Sequence, residues 1–211
     1  MVTPENFIKE IELYLNKNEI DINTLTSYNI DYNNNEKLLW GNDIFDFNYG
    51  ATRGCFIPAY NPTFVLKFDF SDLWEEYCAI EVETYKDAKK RGLENCFARI
   101  QKYDVISNTW LYKSEYIDKP YVLNNNLLTA ERRLELEQRT ADRCPTVISP
   151  YWAEDFITCY GNDKYDKFLD FIASHGINDL NSHNLGYKKG KPIVFDYAGF
   201  FEDSSSYSCK N

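Results

Sequence analysis

A chain of 211 residues with 44% hydrophobic content is long enough for one sizeable domain or for two small lobes, and its core needs no covalent staples. The formal charge of −10 argues against a nucleic-acid partner, because neutralising a phosphate backbone takes clustered Lys and Arg; a small anion would need a local positive group instead. No stretch approaches the roughly 20 apolar residues that span a bilayer, and the start MVTPENFIKEIELYL lacks the basic flank and unbroken apolar run of a secretion signal, so no membrane partner and a cytoplasmic location are expected.

In chain order, Thr3 as a helix cap and Pro4 at the first helical position precede Phe7, Ile8, Ile11, Tyr14 and Leu15 at helical spacing, which predicts an amphipathic helix. Residues 18–40 are rich in Asn and Tyr without periodicity and read as an irregular linker, so residues 1–40 form a first segment. The runs IFDFNYG, RGCFIPAY and TFVLKFDF, bounded by Gly, Pro or Asn, predict a meander of three antiparallel strands. A helical pattern follows from a Ser71 cap to Gly92, and FARIQKYDVI and TWLYKSEYI supply two further strands, completing a second segment at 41–117. Residues 118–211 are mainly helical. LLTAERRLELEQRTADR carries Arg133/Glu137 and Glu135/Arg139 at i,i+4 and reads as a solvated surface helix. YDKFLDFIASHG places Tyr165, Phe168, Leu169 and Ile172 on one face and stops at Gly176.

The six cysteines, at 55, 78, 96, 144, 159 and 209, show no CxxC pair and no zinc-finger spacing to histidine, and are expected to be reduced, mostly buried thiols. His175 and His183 read as structural or loop-bonded histidines.

Four features stand out against this background. Lys67 lies inside the apolar strand FVLKF, where an ammonium is costly unless it meets an anion or a carboxylate, and Glu81 or Glu83 on the next helix offers that carboxylate. Asp179 and Asn184 form D-x-x-x-x-N directly after a helix. Asp196 ends the apolar strand PIVF, twelve residues after Asn184.

This order and spacing, with the segment DLNSHNLGYKKGKPIVFDYAGF, resemble the protein-kinase-like superfamily and in particular its small members from bacteria and phages. The resemblance covers about residues 43–200. It implies an α+β, bilobal protein-kinase-like fold: a five-stranded antiparallel N-lobe sheet plus helix, and a reduced, mainly helical C-lobe. It implies ATP and Mg²⁺ as ligands, bound between the lobes. Lys67 would hold the phosphates while paired to a helix carboxylate, with Glu81 preferred over Glu83 because it opens the family-like EVETY run. Gly50, Thr52, Arg53 and Gly54 in YGATRGCF stand where a phosphate-covering loop belongs, with Thr52 and Arg53 at its tip, and Glu115, Tyr116 and Ile117 in LYKSEYI stand at the adenine hinge. Asn184 and Asp196 would bind the metal, and Asp179 would accept the acceptor's hydroxyl proton or orient its oxygen.

The resemblance departs at Ile177, Asn178 and Asn181 of the catalytic loop, in the GxxxG spacing of the phosphate loop, and in the fifteen residues that follow Asp196. Peptide docking on a large helical base is therefore not expected. The function it implies is an ATP-dependent phosphotransferase acting on a hydroxyl of a protein or small molecule. Its alternatives are a nucleotide-binding pseudokinase that works by docking a partner, and transfer of another part of the nucleotide such as AMP.

Overall fold

The computed structural model describes residues 2–30, 38, 43–73, 76–117, 119–120, 128–144, 146–181 and 183–198. The chain divides into two compact units, one made of Met1–Tyr85 with Arg99–Tyr116 and the other of Lys86–Ala98 with Ile117–Asn211. The chain crosses between the units at Tyr85/Lys86, Ala98/Arg99 and Tyr116/Ile117.

Unit one is built on a five-stranded antiparallel sheet in the order β1-β2-β3-β5-β4. Its strands are β1 Phe45–Tyr49, β2 Arg53–Pro58, β3 Phe64–Asp69, β4 Ile100–Ile106 and β5 Thr109–Glu115. All five anticipated strands are present. Helix α1, Pro4–Lys17, starts where Thr3 Oγ1 accepts the Asn6 amide and Pro4 fills a position that needs no donor. Its stripe of Phe7, Ile8, Ile11 and Leu15 shares one buried cluster with Phe45, Phe47, Phe56, Leu66, Phe68 and Leu111 of the sheet. Where described, residues 1–40 lie in unit one, and α1 with Ile22, Leu25 and Ile30 shares the buried cluster of the sheet.

Alternation assigns the two sheet faces. Phe45, Phe47, Gly54, Phe56 and Phe68 turn toward this cluster, while Arg53, Cys55, Lys67 and Asp69 turn to the other side. β3 is buried from Phe64 to Phe68 because helix α2, Tyr77–Lys90, covers its second face; only Asp69 at its end is less enclosed. The helix starts at Tyr77 and not at a Ser71 cap: Ser71 lies in a turn, its amide and hydroxyl both donating to the Leu25 carbonyl, at 3.2 and 3.3 Å, and only 74 and 75 of the intervening stretch lie outside the described residues.

Gly54 is explained by packing. A Cβ there would come within 2.4 Å of the Phe68 ring and 2.9 Å of Phe47. Gly50 has no atom within 4 Å of a built Cβ and no left-handed backbone. Gly54→Ala is therefore expected to lower stability by ~1–3 kcal/mol through overpacking, with Gly50→Ala nearly neutral; a pair of thermal or urea melts checks the contrast.

Unit two holds α3 (Ala130–Ala141), α4 (Pro150–Tyr160), α5 (Asn162–Ser174) and a three-stranded sheet of β6 (Lys119–Pro120), β7 (Leu185–Lys188) and β8 (Lys191–Val194) in that order. Helix α5 buries Tyr165, Phe168, Leu169 and Ile172 as expected, adds Phe171, and ends at Gly176 with φ +62°. Helix α4 was not anticipated, nor were β6 and β7. Its signals were Pro150 at the first turn and the buried stripe Trp152, Ala153, Phe156. Only Gly161 separates it from α5, so it lacks a loop of its own.

The charged helix α3 differs from a solvated surface helix. Arg132 bridges to Glu154 of α4 at 2.7 Å, and Arg139 to Asp166 of α5 at 2.8 Å, while Leu136 and Thr140 are buried. The expected Arg133–Glu137 pair is long, at 3.9 Å, and half-exposed. Instead of the expected mutual pair, Glu135 takes Arg132 at 2.8 Å and Arg139 reaches another helix. A planar guanidinium makes two directed bonds there, more than an i,i+4 pair in water returns. No helix among the described residues is long and apolar enough to cross a membrane.

Candidate functional site

The first group of candidate side chains lies in unit one. β3 and α2 face each other, and burial of α2 at Cys78, Glu81, Val82 and Ala88 puts Glu81 on the stripe that meets the sheet. Glu81 is 0% exposed, and Lys67 Nζ donates to both its oxygens at 3.2 and 2.9 Å. Glu83, two residues on, falls on the exposed side of α2, so helix periodicity decides between the two carboxylates.

A second cation joins this pair. Arg53 Nη1 lies 2.9 Å from Glu81 Oε1, and the Arg53 and Lys67 side chains are only 14% and 11% exposed. Arg53 is the first residue of β2, opposite Asp69, and so does not sit at the tip of the Gly50 loop where the sequence placed it. Asp69 accepts the Cys78 amide at 3.0 and 3.2 Å and thereby caps the start of α2. Burial raises the Asp69 carboxyl above its ordinary value, opposed by that amide and by the Arg53 charge.

The loop before β2 is a closed turn: the Gly50 amide donates to the Arg53 carbonyl at 3.0 Å, and the Thr52 carbonyl, on a residue 9% exposed, accepts the Phe70 amide at 3.0 Å. At the end of β5, Glu115 is tied to the residue before β4, donating its amide to the Arg99 carbonyl at 3.0 Å and accepting the Arg99 amide on Oε2 at 3.1 Å. The Tyr116 amide reaches Thr63 at 3.4 Å, and Ile117 is half-buried. A cavity of 440 Å³ in this unit is lined by Asp46, Asn48, Ile57, Pro62 and Tyr116, among others. Register carries its Asn48 into one row with Cys55 and Lys67 on the same sheet face.

The second group lies in unit two, at the open end of the β7–β8 hairpin. Lys189 and Gly190 have φ of +52° and +75°, the two left-handed residues of a tight turn between the paired Lys188 and Lys191. That turn fixes the register Leu185↔Val194, so Asn184 just before β7 and Phe195 just after β8 become neighbours, and the Phe195 amide donates to the Asn184 carbonyl at 3.1 Å. Asp196 is the next residue. Its segment is anchored by Tyr197, 1% exposed, whose hydroxyl donates to the Ala98 carbonyl at 2.8 Å.

Asn184 also holds Asp179, its Nδ2 donating to the Asp179 carbonyl at 2.6 Å and to Oδ2 at 3.2 Å. Asn181 Nδ2 donates to Asp179 Oδ1 at 2.6 Å. Both carboxylate oxygens of Asp179 are therefore set by amide donors, with Asn184 using its Nδ2 and not its Oδ1 toward Asp179. Asp179, Asn184 and Asp196 are all half-buried. Among the described residues no three His, Cys, Asp or Glu side chains gather around a metal-sized space. Asn184 offers an amide oxygen and Asp196 a carboxylate, the hard donors that Mg²⁺ would take while keeping several waters.

The structure thus brings Lys67 together with Glu81 and Arg53, and Asp179 with Asn184 and the chain leading into Asp196. Sequence reasoning missed Arg53 as a partner of Glu81, Asp69 as a cap, and Thr146, whose hydroxyl spans the Asp179 loop. Three of the described cysteines, Cys78, Cys96 and Cys144, are buried, and burial pushes the Cys96 thiol up to about 12. Cys159 is exposed, Cys55 is half-buried, and Cys209 lies outside the described residues. His175 meets Asp87 at 3.1 Å, in keeping with a structural role. No protein-family model matches the sequence, and a search of curated proteins returns no match.

Proposed function

We propose that the chain is an ATP-dependent phosphotransferase of protein-kinase-like, bilobal fold, moving the γ-phosphoryl group of Mg-ATP to a hydroxyl of a protein or small molecule. One observation carries the proposal: a strand lysine bonded through both oxygens to a fully buried glutamate of the next helix, Lys67 to Glu81. A buried ion pair is a weak source of stability, so its presence here fits a task that needs a fixed cation. The Asp179–Asn184 loop and Asp196, in family order, supply the remaining chemical types.

Each residue would act on a stated atom. Lys67 would meet phosphate oxygens while Glu81 keeps it charged and fixes its position. Asn184 and Asp196 would hold Mg²⁺, which when bound spreads the charge of the phosphates. Asp179, oriented by Asn181 and Asn184, would take the proton of the acceptor hydroxyl as its oxygen bonds to the γ-phosphorus and the bond to ADP breaks.

Transfer or hydrolysis from γ-labelled ATP with Mg²⁺ tests the assignment. Wild type should turn over, and Asp179→Asn should lose turnover by ~10²-fold or more while binding nucleotide as before. Nucleotide binding with turnover equal in the two proteins would point to the pseudokinase alternative, and no binding at all would remove both.

A further inference from the structure

We infer that Thr146 is a positioning residue for Asp179; this rests on the phosphotransfer function proposed above. Thr146 lies between α3 and α4, far in sequence from the loop, and is 4% exposed. Its Oγ1 donates to the Asn178 carbonyl at 3.0 Å and accepts the Leu180 amide at 3.1 Å. The two peptide groups it engages are those on either side of Asp179.

The neighbours leave the loop little other freedom. Ile177 and Leu180 are each 1% exposed and act as apolar anchors, while the side chain of Asn178 is exposed and that of Asp179 half-buried. Within this frame, one hydroxyl serving as donor and acceptor fixes the orientation of the intervening residue. A methyl group cannot do either. The Asn181 and Asn184 amides then act on a carboxylate whose backbone Thr146 has already set. Because a misplacement near 1 Å can cost about 10²-fold in rate, the loss should fall on turnover and not on nucleotide affinity.

The experiment compares wild type, Thr146→Val, which keeps the shape and loses the hydroxyl, and Thr146→Ser, which keeps the hydroxyl. Turnover of γ-labelled Mg-ATP is measured alongside amide exchange at Leu180. Thr146→Val should lower kcat by ~10–100-fold with KM for ATP within about twofold, and the Leu180 amide should exchange at least about tenfold faster; Thr146→Ser should restore both. If valine prevents folding, Thr146→Ala removes the hydroxyl by truncation and carries the same expectations. Wild-type kcat in the hydroxyl-less variants, an equal change in KM, or failure of serine to rescue overturns the role of Thr146 alone. Absence of turnover in wild type overturns the phosphotransfer function and the positioning role with it.

Discussion

Replacing Glu81 by glutamine should be the most destabilising single change in the group around Lys67. Glu81 is 0% exposed and is the carboxylate on which both Lys67 and Arg53 converge, at 2.9 Å each. Glutamine keeps the volume and removes the charge, which leaves an ammonium and a guanidinium close together with little water to screen them. Breaking a buried ion pair from one side costs ~3–5 kcal/mol, and for a chain of this size that corresponds to a fall in melting temperature of roughly 6–20 °C. Lys67→Met should cost less, because Arg53 stays on Glu81 Oε1. The order of the two midpoints is the test: a Lys67→Met protein less stable than Glu81→Gln would mean that Arg53 is not a working partner of Glu81.

The second large effect is expected at Asp196. Asp196→Asn should weaken the Mg²⁺-dependent part of ATP binding by at least ~10-fold, or about 1.4 kcal/mol, and leave binding without Mg²⁺ within about twofold. Asp196 is half-buried, whereas the position of its segment is set by its neighbours, through the Phe195 amide on Asn184 and the Tyr197 hydroxyl on Ala98. Titrating nucleotide with and without Mg²⁺ separates the two outcomes. An equal loss in both titrations would assign Asp196 to the nucleotide and not to the metal.

How far these residues could be read in advance depended on whether their signals are local. The five strands, α1 and α5 follow from periodicity and from Thr3, Pro4 and Gly176, all short-range features, and all are present. The pairing of Lys67 with Glu81 was readable as a choice of two because a lysine in FVLKF demands a carboxylate; helix phase then excludes Glu83. Helix α4 escaped because its boundary with α5 is a single glycine. Arg139 looked like half of an i,i+4 pair, and only the packing of α3 on α5 shows that Asp166 outcompetes Glu135 for it. Thr146 had no local signal at all, since its partners lie more than thirty residues away in sequence. Gly54 carried a signal with two meanings, and the Phe68 ring accounts for it without any ligand.

The proposed function predicts that Mg-ATP binding draws on both Lys67 and Asp196. A melting scan with and without Mg-ATP tests it most directly on three proteins: wild type, Lys67→Met and Asp196→Asn. At a ligand concentration near a hundred times Kd, binding adds about 2.7 kcal/mol, so wild type should rise by roughly 5–10 °C, and each variant should lose most of that rise. A wild type that does not respond to Mg-ATP, or variants that respond as fully as wild type, would contradict it.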